Sequence, residues 1–451
     1  MAGPVPFVDD NAGGDGGKAD PGVLEEYESI VSSLPSNPRM QLLCYQGAWL
    51  LQSWVPGIIA IQRGFVPRRG DVVLASLPKC GTTWLKALAF ATMARHAHPT
   101  AGDEHHPLLR LNPHDCVPSM EKLFTAGWGR KIDALPWPRL MATHMHHSLL
   151  PASITDNPDC KIIYICRDPK DMIVSMWHFI RRKLPEIQFL DLFESACEGR
   201  CLSSPIWDHI LGYWNASKTS PETVLFLRYE ELLHDPTDSV RTLARFVGQP
   251  FSLEEEEAGV VIDIVKLCSF EKMKNLDVNK AAGLSPVLQQ NAFTNESFFR
   301  RGGTGDWANH MTPEMAGRLD TIIEEKLPSI VSSLPSNPKL ELLCYQGVWL
   351  NQSWVPGRII SIYPADIRAA PWRQKLFAAG LGSRMDALLS PRLMAMHMHY
   401  SLLPISITNN PDCKIIYICS KTNPETVLFL RYEKLLQNPI DNVKKLARFI
   451  G

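Results

Sequence analysis

Much of this chain occurs twice. Residues 30–57 (IVSSLPSNPRMQLLCYQGAWLLQSWVPG) return as 330–357, with 23 of 28 positions identical. Residues 122–166 return as 375–419, an offset of 253, with 34 of 45 identical. Residues 217–248 return as 420–451, an offset of 203, with 23 of 32 identical. Because the offset falls at each junction, the second copy has no equivalent of most of 63–121, of 167–216 or of 249–328. Two copies about 300 residues apart do not make a solenoid. The pattern predicts a flexible Gly-, Asp- and Pro-rich tail at 1–24, one complete domain at 25–328, and an incomplete second copy at 329–451.

Composition narrows the partners. The 451 residues carry 46 basic and 47 acidic side chains, a net charge of −1. A general nucleic-acid binder is more basic than this, so only a local anion site is expected. No apolar run approaches the roughly 18 residues that span a bilayer, and the N-terminus lacks the basic start and apolar core of a signal peptide. We therefore expect no membrane partner and a cytoplasmic location. The 11 cysteines form no CxxC pair, which fits buried thiols in a reducing compartment.

Within the first copy, residues 24–34 and 38–53 read as helices. DVVLAS (71–76), CKIIYIC (160–166) and part of TVLFLRYEEL (223–232) read as buried strands. TTWLKALAFATMARHA (82–97), DPKDMIVSMWHFIRRK (168–183) and SVRTLARFVG (239–248) read as helices. Apolar strands alternating with helices predict an α/β fold, a parallel central sheet flanked by helices on both faces.

The strongest chemical signal is LASLPKCGTTWLKAL. A strand ends at Ser76, a turn holds Lys79 and Gly81, and a helix opens at Thr82. The unpaired N–H groups and partial positive charge of a helix start make such a turn an anion site. Gly81 permits close approach, Lys79 adds a charge, Thr82 and Thr83 add hydroxyls, and Trp84 offers a ring to stack on a base. The nucleotide triphosphatase pattern GxxxxGK[ST] is absent, since Lys79 precedes the glycine by two. A kinase-like phosphotransferase would also need a magnesium-binding acid at a strand end, and no convincing pair is present. The three histidines of HMHH (144–147) have no Cys or Glu at metal-ligand spacing, so no metal is expected.

PKCGTTWLKAL closely resembles the phosphosulfate-binding loop of the cytosolic sulfotransferases, which take a sulfuryl group from 3′-phosphoadenosine 5′-phosphosulfate (PAPS). Four further segments resemble that family in its own order. They are RLMATHMHHSLLP (139–151), YICRDPKDMIVSMWHF (164–179), FLRYEEL (226–232) and FFRRGGTGDW (298–307), and with the loop they cover about 25–328. NPDCKIIYICRDPKD and LCSFEKMKNLDVN look most like plant members.

The resemblance implies a P-loop-like sulfotransferase fold with PAPS as co-substrate and no metal. Lys79 would contact the 5′-phosphosulfate within a loop of Lys79, Cys80, Gly81, Thr82, Thr83 and Trp84. His144, directly after Thr143, would be the general base; His146 and His147 are left as pocket lining or surface. Arg167 and Ser175 would bind the 3′-phosphate, Tyr229 the adenine, and Cys268 and Phe270 the adenine side. Arg300, Arg301 and Gly302 would close over the 3′-phosphate. The family usually has Arg-Lys-Gly there, so Arg301 keeps the charge and changes the donor geometry. A small hydroxylated acceptor (flavonoid, steroid, jasmonate-like or similar) would be lined by 98–127 and 184–205. The family's dimer pattern KxxxTVxxxE is matched in 308–317 only by Thr312, so a monomer is expected.

The second copy keeps His397 and Tyr432, but Met396 replaces Thr143, and no phosphosulfate loop, Arg167, Ser175 or Arg-Arg-Gly equivalent exists. It is expected to be catalytically dead. Its exposed apolar faces leave three outcomes open: packing on the first copy, exchanging strands with it, or partial disorder. The rival to an active enzyme is a regulatory protein in which the duplicate blocks the acceptor pocket.

Overall fold

The computed structural model describes residues 3–7, 28–100, 105–127, 129–280 and 294–327, and four strands beyond them. The chain divides into two compact units, Met1–Ser332 and Ser333–Gly451.

The first unit is built on a parallel sheet of four strands: β4 (Val72–Ser76), β5 (Leu140–Thr143), β6 (Lys161–Cys166) and β7 (Val224–Arg228). Their spatial order is β5-β4-β6-β7. Every residue of β4 and β5 is buried, as expected where helices cover both faces. The helix Thr82–Met93 follows β4 and buries Leu85, Leu88 and Phe90 against Leu74, Ile163 and Ile165. The helix Pro169–Ile180 follows β6. It opens with Pro169 at its first position and with Asp168 accepting the Lys170 N–H at 2.8 Å. Tyr229 is the first residue of the helix Tyr229–His234, not the last of the strand. Under the sheet, Arg139 and Asp71 form an ion pair with both side chains fully buried. Arg139 Nε donates to both Asp71 oxygens at 3.0 and 3.1 Å, and the Arg68 N–H donates to Asp71 Oδ2 at 2.7 Å.

Two expectations change. Residues 38–53 are not a helix but a hairpin, β2 (Leu42–Tyr45) paired antiparallel with β3 (Ala48–Leu51), with a short β1 (Ser36–Asn37) beside β2. The two-residue turn has positive φ at both Gln46 (48°) and Gly47 (85°), the geometry that matches strand twist. A Leu- and Trp-rich run suits half-buried strands as well as a helix, and the turn decides. In the expected tail, residues 3–7 are packed: Phe7 is buried, and its N–H donates to the Cys116 carbonyl at 3.4 Å. Residues 8–27 lie outside the described residues.

In the second unit β8 (Leu342–Tyr345) and β9 (Val348–Asn351) form a hairpin, and β10 (Ile415–Ile418) pairs parallel with β11 (Val427–Leu430). His397 and Tyr432 lie outside the described residues.

Candidate active site

The turn after β4 is a strained one. Lys79 and Gly81 take φ of 70° and 93°. A Cβ on Gly81 would stand 2.6 Å from Tyr229 Cδ2, so the glycine is required by both conformation and contact. Ser76 Oγ and Thr82 Oγ1, 2.7 Å apart, tie the strand end to the helix start. The Lys79 ammonium lies 4.1 Å from the centre of the Phe179 ring and 5.9 Å from that of Phe298. Burial, then the charges of Arg300, Arg167 and Arg182, push Lys79 down to about 7.

Lys79, Gly81, Thr82, Thr83 and Trp84 line one cavity of about 770 Å³, together with Arg167, Ser175, Tyr229, Cys268, Phe270, Arg300, Arg301, Gly302 and His144. Cys80 is the exception among the sequence-predicted residues. Its side chain is fully buried away from the cavity, and burial pushes its thiol up to about 12. Only its backbone stays with the loop, because φ > 0 on either side turns the chain around it.

Arg167 sits one residue past β6, where its guanidinium lies 4.7 Å from the Tyr229 ring centre and donates to the Gly303 carbonyl at 2.6 Å. Its ion pair with Asp171 is long, at 3.7 Å. Asp171 spends its oxygens on the N–H groups of Gly305 (2.7 Å) and Trp307 (3.0 Å), which anchors the RRGGTGDW loop. Arg300 and Arg301 both donate to Asp306. Burial raises this carboxyl, but its hydrogen bonds from Arg300 and Asn309 and the two guanidinium charges outweigh that and hold it at about 2. Gly302 has φ of 71°, and the Phe270 ring lies where its Cβ would be, 2.4 Å away. The Nε atoms of Arg167 and Arg300 are buried and have no hydrogen-bond partner among the described residues. Buried guanidinium donors left free beside a cavity are what an anionic ligand satisfies.

Among the described residues one group has metal-ligand atoms close together, His178, Asp306 and His310, all within 4.8 Å. Asp306 and His310 are four residues apart, but His178 reaches them from a distant segment, so the grouping is not readable from spacing. Asp306 is already committed to two arginines, so the group reads as part of the loop's anchor.

His144 is positioned from three directions. Its Nδ1 lies 2.8 Å from the Ser76 carbonyl. A carbonyl only accepts, so Nδ1 carries the proton and Nε2 is the basic nitrogen. Trp54 stacks on the ring with centroids 5.6 Å apart and planes 16° from parallel. Behind it Glu121 Oε1 accepts from the His144 N–H and from Thr143 Oγ1, while Oε2 accepts from Ser119 Oγ at 2.7 Å. Burial drives His144 down to about 4, against the opposing pull of Glu121 and the Ser76 hydrogen bond. His146 and His147 are neither pocket lining nor free surface. His146 is buried with Nε2 donating to the Ser203 carbonyl at 3.1 Å, and His147 packs edge-on against Tyr213.

Several site residues escaped the sequence reading. Glu121 is one. Another set is Lys86, which donates to the Val117 carbonyl at 2.7 Å and lies 3.1 Å from His114 Nδ1, with His114 Nε2 3.0 Å from Thr83 Oγ1. A lysine inside the apolar run TTWLKALAFATM was the available signal. The expected acceptor segments do contribute to the cavity, through His114, Ser119, Lys122, Leu184 and Leu202.

One cavity thus brings together a strand–turn–helix anion cradle, several basic side chains and His144. The sulfotransferase domain profile matches residues 69–330. The chain is 40% identical over 312 residues to cytosolic sulfotransferase 6 of Arabidopsis thaliana, covering 67% of this chain and 93% of that one. It is 42% identical over 310 residues to flavonol 3-sulfotransferase of Flaveria bidentis, covering 66% and 97%. A crystal structure of a sulphotransferase from Arabidopsis thaliana superposes with a TM-score of 0.55 at 36% identity, covering 68% of this chain and 95% of that one. The chain belongs to the plant cytosolic sulfotransferase family and is a PAPS-dependent sulfotransferase. Among the described residues no helix is long and apolar enough to cross a membrane.

Proposed function

We propose that the first unit transfers a sulfuryl group from PAPS to the hydroxyl of a small acceptor by in-line displacement. The observation that supports this most is a single cavity with unpartnered arginine Nε atoms in its wall and His144 lining it too. Arg167, Ser175 and Arg300 hold the 3′-phosphate, with Arg301 beside them. Trp84, Tyr229, Cys268 and Phe270 hold the adenine. Lys79 and the helix start at Thr82 meet the charge that grows on the phosphate oxygen as its bond to sulfur breaks. His144 Nε2 takes the acceptor's proton as the acceptor oxygen bonds to sulfur. A histidine held near 4 is wholly in its basic form at pH 7. The Ser76 carbonyl then stabilises the imidazolium through Nδ1–H. This mechanism uses no metal.

The same reading makes the acceptor a hydroxylated small molecule, the broad class that includes the flavonol named for the Flaveria relative. It makes the enzyme cytoplasmic and monomeric, and residues 329–451 inactive in sulfation. Calorimetric titration of the full chain with adenosine 3′,5′-bisphosphate tests it. Saturable one-to-one binding, lost in a Lys79→Ala, Arg167→Ala double variant, is the expected result. A folded protein that does not bind the bisphosphate would overturn the assignment.

A further inference from the structure

The cavity wall also constrains what the acceptor is. This inference rests on the sulfotransferase reading above. Among the described residues no Asp or Glu lines the cavity. Four of its basic residues, Lys79, Arg167, Arg300 and Arg301, belong with the donor. Lys86 is spoken for by His114 and the Val117 carbonyl. Lys122 also lines the cavity, as do His144 and the apolar side chains of Met40, Leu51 and Leu202.

Lys122 stands out. No hydrogen bond or ion pair joins its ammonium to another described residue. Its neighbour Glu121 has both oxygens occupied by Ser119, Thr143 and His144, so it offers Lys122 field and no contact. Burial pushes Lys122 down to about 8, with Glu121 pulling the other way and Lys183 adding to the fall. Lys122 in turn adds to the depression of His144, which puts the ammonium within electrostatic reach of the proposed base. Lys122 is half-buried, so an anion entering the cavity can replace water at its ammonium and pair with it in partly apolar surroundings.

We propose that the acceptor is itself a carboxylate, an apolar body whose carboxyl group pairs with Lys122 while its hydroxyl reaches His144. Lys183 adds to the field at that end of the cavity. A neutral hydroxyl compound of the same shape would leave the Lys122 charge unmet and bind more weakly.

Matched pairs separate charge from shape. The full chain is first saturated with adenosine 3′,5′-bisphosphate, then titrated with p-coumaric acid, methyl p-coumarate, ω-hydroxylauric acid and methyl ω-hydroxylaurate. At least one acid is expected to bind about tenfold or more tightly than its ester, the scale of one charge-assisted hydrogen bond. Lys122→Met should erase that preference, and Lys122→Arg should keep it. Bisphosphate affinity reports whether each variant is folded. The proposal is wrong if every ester binds as well as its acid, or if the preference survives Lys122→Met. Failure of the first, bisphosphate titration would instead remove the sulfotransferase reading, and this inference with it.

Discussion

His144 and His397 stand in nearly the same phrase, RLMATHMHHSLLP and RLMAMHMHYSLLP, but the residues that hold His144 are not all copied with it. Around His144, Ser76 fixes the tautomer, Glu121 holds the backbone, and Thr143 bonds both Glu121 and the Met145 N–H at 3.1 Å. At the matching places of the second copy Thr143 has become Met396, Glu121 has become Gln374, and the stretch containing Ser76 has no counterpart. The contacts that fix His144 come from segments 23 and 68 residues away, so under the proposed mechanism copying the phrase alone does not copy the base.

The widest test of that contrast substitutes both histidines in the full chain. His144→Ala should lower kcat/KM for sulfation by about a thousandfold, within the range for losing a general base. His397→Ala should leave it within about twofold. Equal losses would show that the second copy takes part in catalysis and would break the comparison.

The two units also share an arginine and its exposed partner, Asp133 recurring as Asp386, without sharing the buried partner. Arg139 recurs as Arg392, whereas Asp71 lies in the stretch that the second copy lacks. In the first unit the pair is fully buried, and Asp71 accepts from Arg139 and the Arg68 backbone. Asp71→Asn leaves the buried guanidinium with only the exposed Asp133 carboxylate at 3.0 Å, and breaking such a buried pair costs about 3 kcal/mol. Denaturant unfolding of the full chain should show that loss in the transition of the first unit. Arg392→Met should not move it.

The parallel strands repeat more faithfully than any side chain. Ile162 pairs with Val224 in β6–β7, and Ile415 pairs with Val427 in β10–β11, which are the same positions in the two copies. Residues 167–223 connect the first pair, and residues 419–426 the second. Crossovers between parallel strands usually take a dozen or more residues and a helix. What the shorter connection omits is the very segment that bears Arg167 and Ser175. Arg167→Ala should therefore weaken bisphosphate binding about ten- to a hundredfold, the scale of a charge-assisted hydrogen bond. A smaller loss by calorimetry would mean that the donor's phosphates are held elsewhere.

How much of this was legible in the sequence follows from the same contrast. Local patterns carried the parallel strands and the anion turn, because apolar runs, Lys79, Gly81 and Thr82 are neighbours in the chain. The hairpin at 42–51 was misread, because Leu and Trp fit a buried strand as well as a helix and the decision lies in the positive φ of Gln46 and Gly47. Glu121, Asp306 and Lys122 were invisible for a different reason. Their roles arise only where distant segments converge: Glu121 with His144, Asp306 with Arg300 and Arg301, Lys122 with the acceptor wall. Cys80 shows the converse error, since a residue inside a binding motif can point into the core.

The smallest expected effect concerns the lysine that the second copy lacks altogether. Burial and the nearby arginines bring Lys79 down to about 7, so at pH 8 it is mostly neutral in the empty site. A bisphosphate brings negative charge, favours the ammonium and raises that value again, so binding at pH 8 takes up a proton. The sign reverses nothing at lower pH: below about 6 the lysine is already charged, and its share of the uptake vanishes. Titrations at pH 8 in two buffers with different heats of ionisation should give an uptake of up to about one proton, reduced in Lys79→Met. Lys86 also sits near 7, but it is bonded to His114 and the Val117 carbonyl. Uptake that persists unchanged in Lys79→Met would point to Lys86 instead and would take the leaving-group role away from the turn.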